Sequence, residues 1–247
     1  MVAMQLLDDY NALERRGRLE SDVSSYVVEN LNTKLALRPY QTQALLRFED
    51  YMSDEKRNQP VHLLFQMATG SGKTLVMAAS ILHLYKLGYR NFIFFVNSTN
   101  IIDKTRENFL NENSSKFLFN TPVNIEGELI KIKEVMNFEG VNEKDINIHF
   151  TTIQGLHSRM NNPRENSITF EDFKDMEVAL LSDEAHHLNV DTKRIQGKSL
   201  TKEEQEEAIS WEATIQRIVH SNTKNVILEF TATADLTEPD IAAKYQD

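Results

Sequence analysis

The apolar run Val61-His-Leu-Leu-Phe-Gln66 passes into Met67-Ala-Thr-Gly-Ser-Gly-Lys-Thr74, and a helical pattern follows from Leu75 to Leu87. A buried strand, a glycine turn and a helix in that order restrict the fold more than any other stretch of the chain. Gly70 and Gly72 let the backbone enter conformations that other residues reach only at a cost. A curl of backbone N–H groups closed by a helix N-terminus is a receptor for a polyphosphate. Lys73 adds a point charge for the phosphates and Thr74 a hydroxyl for a divalent cation. The general pattern G-x-x-x-x-G-K-[ST] has glycine where this chain has Met67, a position that mainly has to turn. A flexible glycine-serine loop is the bland alternative, and the flanking strand and helix argue against it.

Two further apolar runs end in the same abrupt way. Val178-Ala-Leu-Leu-Ser182 is followed by Asp183-Glu-Ala-His186, and Asn225-Val-Ile-Leu-Glu-Phe230 by Thr231-Ala-Thr233. Strands that carry polar residues at their C-terminal ends match the rule that ligands bind at the carboxyl edge of an open α/β sheet. In P-loop NTPases a carboxylate at the end of a neighbouring strand holds Mg2+, which suits Asp183. Glu184 then stands where it can orient or deprotonate an attacking water. The acidic pair could instead cap a helix. The long separation of Lys73 from Asp183 leaves room for two or three further αβ units, as a parallel sheet requires. The expected fold is α/β, a three-layer αβα sandwich on a mostly parallel sheet.

Read together, the glycine loop, Asp-Glu-Ala-His and Thr-Ala-Thr resemble the first RecA-like motor domain of superfamily 2 helicases and translocases, DEAH type. Leu37-Arg-Pro-Tyr-Gln41 resembles the adenine-recognition element of that superfamily. The resemblance implies ATP and Mg2+ as ligands, with Gln41 and Arg38 at the base and Thr69, Gly70, Ser71, Gly72, Lys73 and Thr74 around the phosphates. It makes Lys73, Asp183 and Glu184 the catalytic set, Thr74 and Asp183 the Mg2+ ligands, and His186, Thr231 and Thr233 the coupling residues. It also marks Ser98, Thr99, Thr151, Thr152 and Gln154 as nucleic-acid contacts, although each threonine or serine could simply cap a helix. Pro39 could likewise do no more than open a helix whose core stripe is Ala44, Leu45, Phe48 and Met52.

The wording narrows further in Thr151-Thr-Ile-Gln154, Leu181-Ser-Asp-Glu-Ala-His-His-Leu188, the helical run Glu203 to Val219 and Leu228 to Leu236. These resemble the restriction (Res) subunit of type III restriction–modification enzymes over most of residues 35–247, with residues 1–34 as a helical extension. Such a protein implies DNA as substrate, a second RecA-like domain, a nuclease domain and a methyltransferase partner. The nuclease pattern is missing: Asp172-Phe-Lys174 lacks a strand-borne partner and reads as surface charge. The expectation is therefore motor domain one of a longer protein, weakly active alone. A helicase unconnected with restriction, a type I motor subunit and a non-catalytic nucleotide-binding module remain alternatives.

Composition bounds these readings. The chain has 247 residues, no cysteine and a formal net charge of −10, which excludes a disulfide framework and disfavours bulk electrostatic binding of duplex DNA. The richest basic stretch, Lys193, Arg194, Lys198 and Lys202, reads as a solvated loop in preference to a local DNA-binding track. The adjacent His186 and His187 do not make a zinc site. No run is long and apolar enough to span a membrane, and a cytoplasmic protein is expected. Residues 2–32 read as two helices broken at Gly17, 121–150 as irregular with strands at Val123 to Ile125 and Ile146 to Thr151, and 164–175 as a surface insertion. Thr201 and Glu204 suggest a capping box for the helix through Val219, in which Trp211 belongs to the core stripe.

Overall fold

The computed structural model describes residues 5–162, 168–183 and 202–232. Its main strands are β1 (Val61–Gln66), β2 (Asn91–Val96), β5 (Ile132–Glu134), β6 (Ile146–Thr152), β7 (Val178–Asp183) and β8 (Val226–Thr231). They form one sheet in the order β1-β8-β7-β2-β6-β5, and every pairing in it is parallel. A separate antiparallel hairpin joins β3 (Val123–Ile125) to β4 (Glu128–Ile130).

The sequence of β2 shows why both faces are covered. Phe92, Phe94 and Val96 enter one core cluster and Ile93 and Phe95 the other, all of them buried. Such a continuous apolar run is the mark of a parallel strand with a layer on either side. On the first face lie α3 (Pro39–Ser53), α4 (Lys73–Lys86) and α5 (Thr99–Leu110), through residues such as Leu45, Val76 and Phe109. The second face is packed by α6 (Ile153–Asn161), α7 (Asp172–Asp175) and α8 (Lys202–Val219), through Leu156, Phe173 and Ile215. The result is the three-layer α/β arrangement. No helix among the described residues is long and apolar enough to cross a membrane.

Three expectations need correction. The second N-terminal helix is a single turn, α2 (Ser25–Val28), after α1 (Gln5–Arg15). Beyond it the chain extends: Leu31 bridges Phe119, and Asn30 ties the segment down by donating from Nδ2 to Tyr26 O and Asn124 O. Backbone pairing has outcompeted the helix. The irregular region carries β4 and β5 besides the strands foreseen. In the stretch read as a surface insertion, Ile168 and Phe173 are buried in the second cluster, while Asp172 and Lys174 are exposed. Trp211 packs against that same cluster, as its place on the stripe suggested. The Thr201–Glu204 capping box lies outside the described residues.

A buried polar cluster fastens the N-terminal segment to α3 and α4. The Ser24 N–H and hydroxyl both donate to Glu49 Oε2, at 3.1 and 2.8 Å. The Tyr26 hydroxyl lies 2.8 Å from His83 Nδ1, and Glu49 Oε1 lies 3.7 Å from the same nitrogen. Burial lowers the His83 pKa from 6.5 to about 4 and raises that of Glu49, so each is pushed towards its neutral form. The 3.7 Å contact is therefore not a full ion pair.

The unfolded chain protonates its histidine before the folded one does. The stability gained from neutral His83 is thus complete above about pH 6.5 and lost as pH falls towards 4. That loss is worth about 3 kcal/mol. Glu49 has the opposite sign, its contribution being lost as pH rises through its raised folded pKa. Replacing His83 with Gln, which can still bond Tyr26, should flatten the acid limb of the stability curve. Chemical unfolding at pH 6.5 and 4.5 measures this, and equal losses in both proteins would refute it.

Candidate nucleotide-binding site

β1 delivers the chain to the carboxyl edge of the sheet, and residues 67–72 carry it into α4. Met67 does not turn. Its N–H continues the strand by donating to Thr231 O at 2.8 Å, and the reversal falls at Gly70 (φ 75°) and Gly72 (φ 82°). Those two angles favour glycine, whereas position 67 tolerates methionine. Gly72 is the N-cap of α4 and has no side chain to cap it, so the first N–H groups of the helix are left for a ligand.

Lys73 is the first residue of α4, and only 7% of it is exposed. Its ammonium reaches back to Met67 O at 3.5 Å, a long contact for a buried cation. An anion held in the curl is the partner that would match that charge. Ser71 Oγ is also buried in the loop, without a hydrogen-bond partner among the described residues. Thr74 follows, half-buried, and Thr69 is exposed at the tip.

Strand register brings Asp183 to the same edge. It sits opposite Phe230 of β8, and Phe230 sits opposite Phe65 of β1. Two strand spacings, about 10 Å, therefore separate Asp183 from the strand that feeds the loop. A hydroxyl and a carboxylate are hard oxygen donors, the kind Mg2+ takes when phosphates complete its shell, so Thr74 and Asp183 fit that ion. Among the described residues no three acidic or histidine side chains group as a metal site by themselves. Thr231 is buried opposite Gln66. Glu184, His186, His187, Thr233 and the basic residues 193, 194 and 198 lie outside the described residues.

At the start of α3, Gln41 is buried and Arg38 exposed. Gln41 Oε1 accepts from the Arg38 N–H at 2.8 Å, the reach-back half of a capping box, and Nε2 donates to Ser71 O at 2.8 Å. The carboxamide thus contacts the glycine loop as well as the start of α3. Tyr40 joins it there by donating its hydroxyl to Ser71 O at 2.9 Å. Sequence reasoning missed Tyr40, because no local signal pairs residue 40 with residue 71.

The candidate nucleic-acid residues fall on two neighbouring helix starts. Ser98 is the N-cap of α5 and Thr152 of α6, and Val96 lies opposite Thr152 in the β2–β6 register. Their side chains differ in use. The Thr152 hydroxyl accepts from the Gly155 N–H at 3.0 Å and so caps its helix, whereas Ser98 makes no side-chain cap bond. Thr99 and Gln154 are exposed, and Thr151 is buried with its hydroxyl donating to Thr152 O. An apolar cavity of about 310 Å³ between α1, α3 and β1, lined by Tyr10, Phe48 and Phe65 among others, shares only Met67 with the loop.

Comparison with known proteins shows the family to which this sequence belongs. The Probable type III restriction-modification enzyme HindVIP Res subunit of Haemophilus influenzae is 40% identical over 204 residues, 77% of this chain. The chain spans 39% of that relative's length. Among solved structures, the SWI2/SNF2 ATPase core of Sulfolobus solfataricus in complex with dsDNA aligns with 86% of this chain and 35% of its own, at 15% identity and a TM-score of 0.46. The UvsW helicase from bacteriophage T4 aligns with 97% and 64% respectively, at 13% identity and a TM-score of 0.44. The family model described as type III restriction enzyme, res subunit, matches residues 34–236, and the chain belongs to that family.

Proposed function

We propose that this chain binds ATP with Mg2+ at residues 69–74 and couples its hydrolysis to movement along DNA, as the motor part of a type III restriction endonuclease. The observation that carries the reading is the meeting of a positive-φ glycine loop, a buried Lys73 and the strand-end Asp183 at one sheet edge. Arg38 and Gln41 face the base. Lys73 neutralises charge on the phosphates, and Thr74 with Asp183 holds the metal, which when bound screens the charge that develops on the leaving oxygens. Glu184 takes the proton of the attacking water as the terminal phosphoryl group of ATP transfers to that water and ADP leaves.

Thr231 lies between the two halves of the site, and its carbonyl is bonded to the first residue of the loop. With His186 and Thr233 it passes hydrolysis on to a second RecA-like domain, the source of an arginine finger. Ser98, Thr99, Thr151, Thr152 and Gln154 track one nucleic-acid backbone. A local contact of that kind is compatible with a net charge of −10. A nuclease domain in the same protein, a methyltransferase partner and a cytoplasmic location complete the proposal. Calorimetry with a nonhydrolysable ATP analogue and a DNA-stimulated hydrolysis assay on the full-length protein test it. Nucleotide binding that depends on Mg2+ and hydrolysis that rises with DNA are expected, and a wild-type protein that binds no nucleotide would sink the reading.

A further inference from the structure

The peptide unit between Ser71 and Gly72 is where the phosphate loop turns into α4, and residues at the start of α3 grip it from one side. The Tyr40 hydroxyl donates to Ser71 O at 2.9 Å and accepts from Arg38 Nη1 at 2.9 Å. Gln41 Nε2 donates to the same carbonyl at 2.8 Å, with a longer approach to Gly72 O at 3.4 Å. The Arg38 N–H fixes the other end of that carboxamide. Both lone pairs of Ser71 O are thereby engaged.

In a trans peptide the C=O and the N–H that follows point in opposite directions. A carbonyl drawn to α3 turns the Gly72 N–H away from α3, and no backbone acceptor among the described residues takes that N–H. Glycines at φ 75° and 82° give this stretch the freedom to flip. A flip would replace the N–H with a carbonyl oxygen and set a partial negative charge against a polyphosphate. A Cβ at Gly72 would lie 2.5 Å from Gln41 Nε2 and would displace that amide from its place over the loop. The amide of Gln41 covers the loop only because nothing projects from it.

We propose that Tyr40 is a positioning residue of the phosphate loop: its hydroxyl, beside the Gln41 amide, pins the Ser71 carbonyl and so keeps the Gly72 N–H turned to the triphosphate. The inference rests on the nucleotide reading above. It gives Tyr40 a role at the loop, where its hydroxyl holds Ser71 O and Arg38 Nη1 although 42% of the residue is exposed.

The test uses the full-length protein and the substitution Tyr40→Phe, which keeps the ring and removes the hydroxyl. Affinities for ATP, GTP and inorganic tripolyphosphate, each with Mg2+, are measured by displacement of a fluorescent nucleotide. All three should weaken by a common factor of about three to ten, the worth of one net hydrogen bond. KM for ATP should rise by the same factor with kcat unchanged, and thermal unfolding without nucleotide should match the wild type. Loss for ATP with tripolyphosphate unaffected would assign Tyr40 to the base and overturn the proposal, as would three unchanged affinities. A wild-type protein that binds none of the three ligands fails the nucleotide reading itself and takes this inference with it.

Discussion

Lys73→Ala is expected to weaken ATP–Mg2+ binding by at least about a hundredfold, the equivalent of about 3 kcal/mol of charge-assisted hydrogen bonding. The size follows from burial. The ammonium is buried in the loop, with Met67 O as a long contact at 3.5 Å, so a bound phosphate meets a charge with little solvent left to displace. The same argument gives a second, opposite expectation. Removing a poorly matched buried cation should leave thermal stability without nucleotide unchanged or raised. Calorimetry and unfolding on one preparation check both. Unchanged affinity would withdraw the loop assignment, and a large drop in stability would make Lys73 a structural residue instead.

Glu184→Gln should separate binding from chemistry. In the full-length protein it is expected to lower DNA-stimulated turnover by about 10²–10⁴-fold, the range for loss of a positioned general base. ATP affinity should stay within about twofold, because the amide keeps the shape of the carboxylate and Asp183, the proposed metal ligand, is untouched. Asp183→Asn should differ, by weakening binding mainly in the presence of Mg2+. Steady-state hydrolysis with nucleotide binding on the same variants distinguishes the two roles. Wild-type turnover by the Glu184→Gln protein would remove Glu184 from the reaction.

The parts of this molecule that were legible in its sequence are those whose signals are local. β1, the glycine turn and α4 occupy one continuous stretch, and β2 matches its apolar run from Asn91 to Val96. Strands β4 and β5 were not legible, because Glu128-Leu-Ile130 and Ile132-Lys-Glu134 are too short and too mixed to show a period of two. Helix α2 stopped early because Leu31 found Phe119, a partner that lies far along the chain. The candidate site divides in the same way. Lys73, Thr74 and Asp183 follow from strand-end motifs, whereas the grip of Tyr40 and Gln41 on Ser71 depends on how α3 docks against the loop. Met67 looked like a defect in a motif, and the φ angles of Gly70 and Gly72 show that the turn never needed a glycine there.

β8 runs between β1 and β7, and its two faces are chemically unlike. Phe230 stacks on Phe65 with ring centroids 4.5 Å apart, while Glu229 Oε2 is bonded to His62 Nε2 at 2.8 Å on the other face. A slide by one residue would exchange those faces and drive a carboxylate into the aromatic layer. Strand β8 is consequently locked in place, a chassis rather than a piston. Any stroke of the proposed motor would fall to the carboxyl rim of the sheet and not to β8.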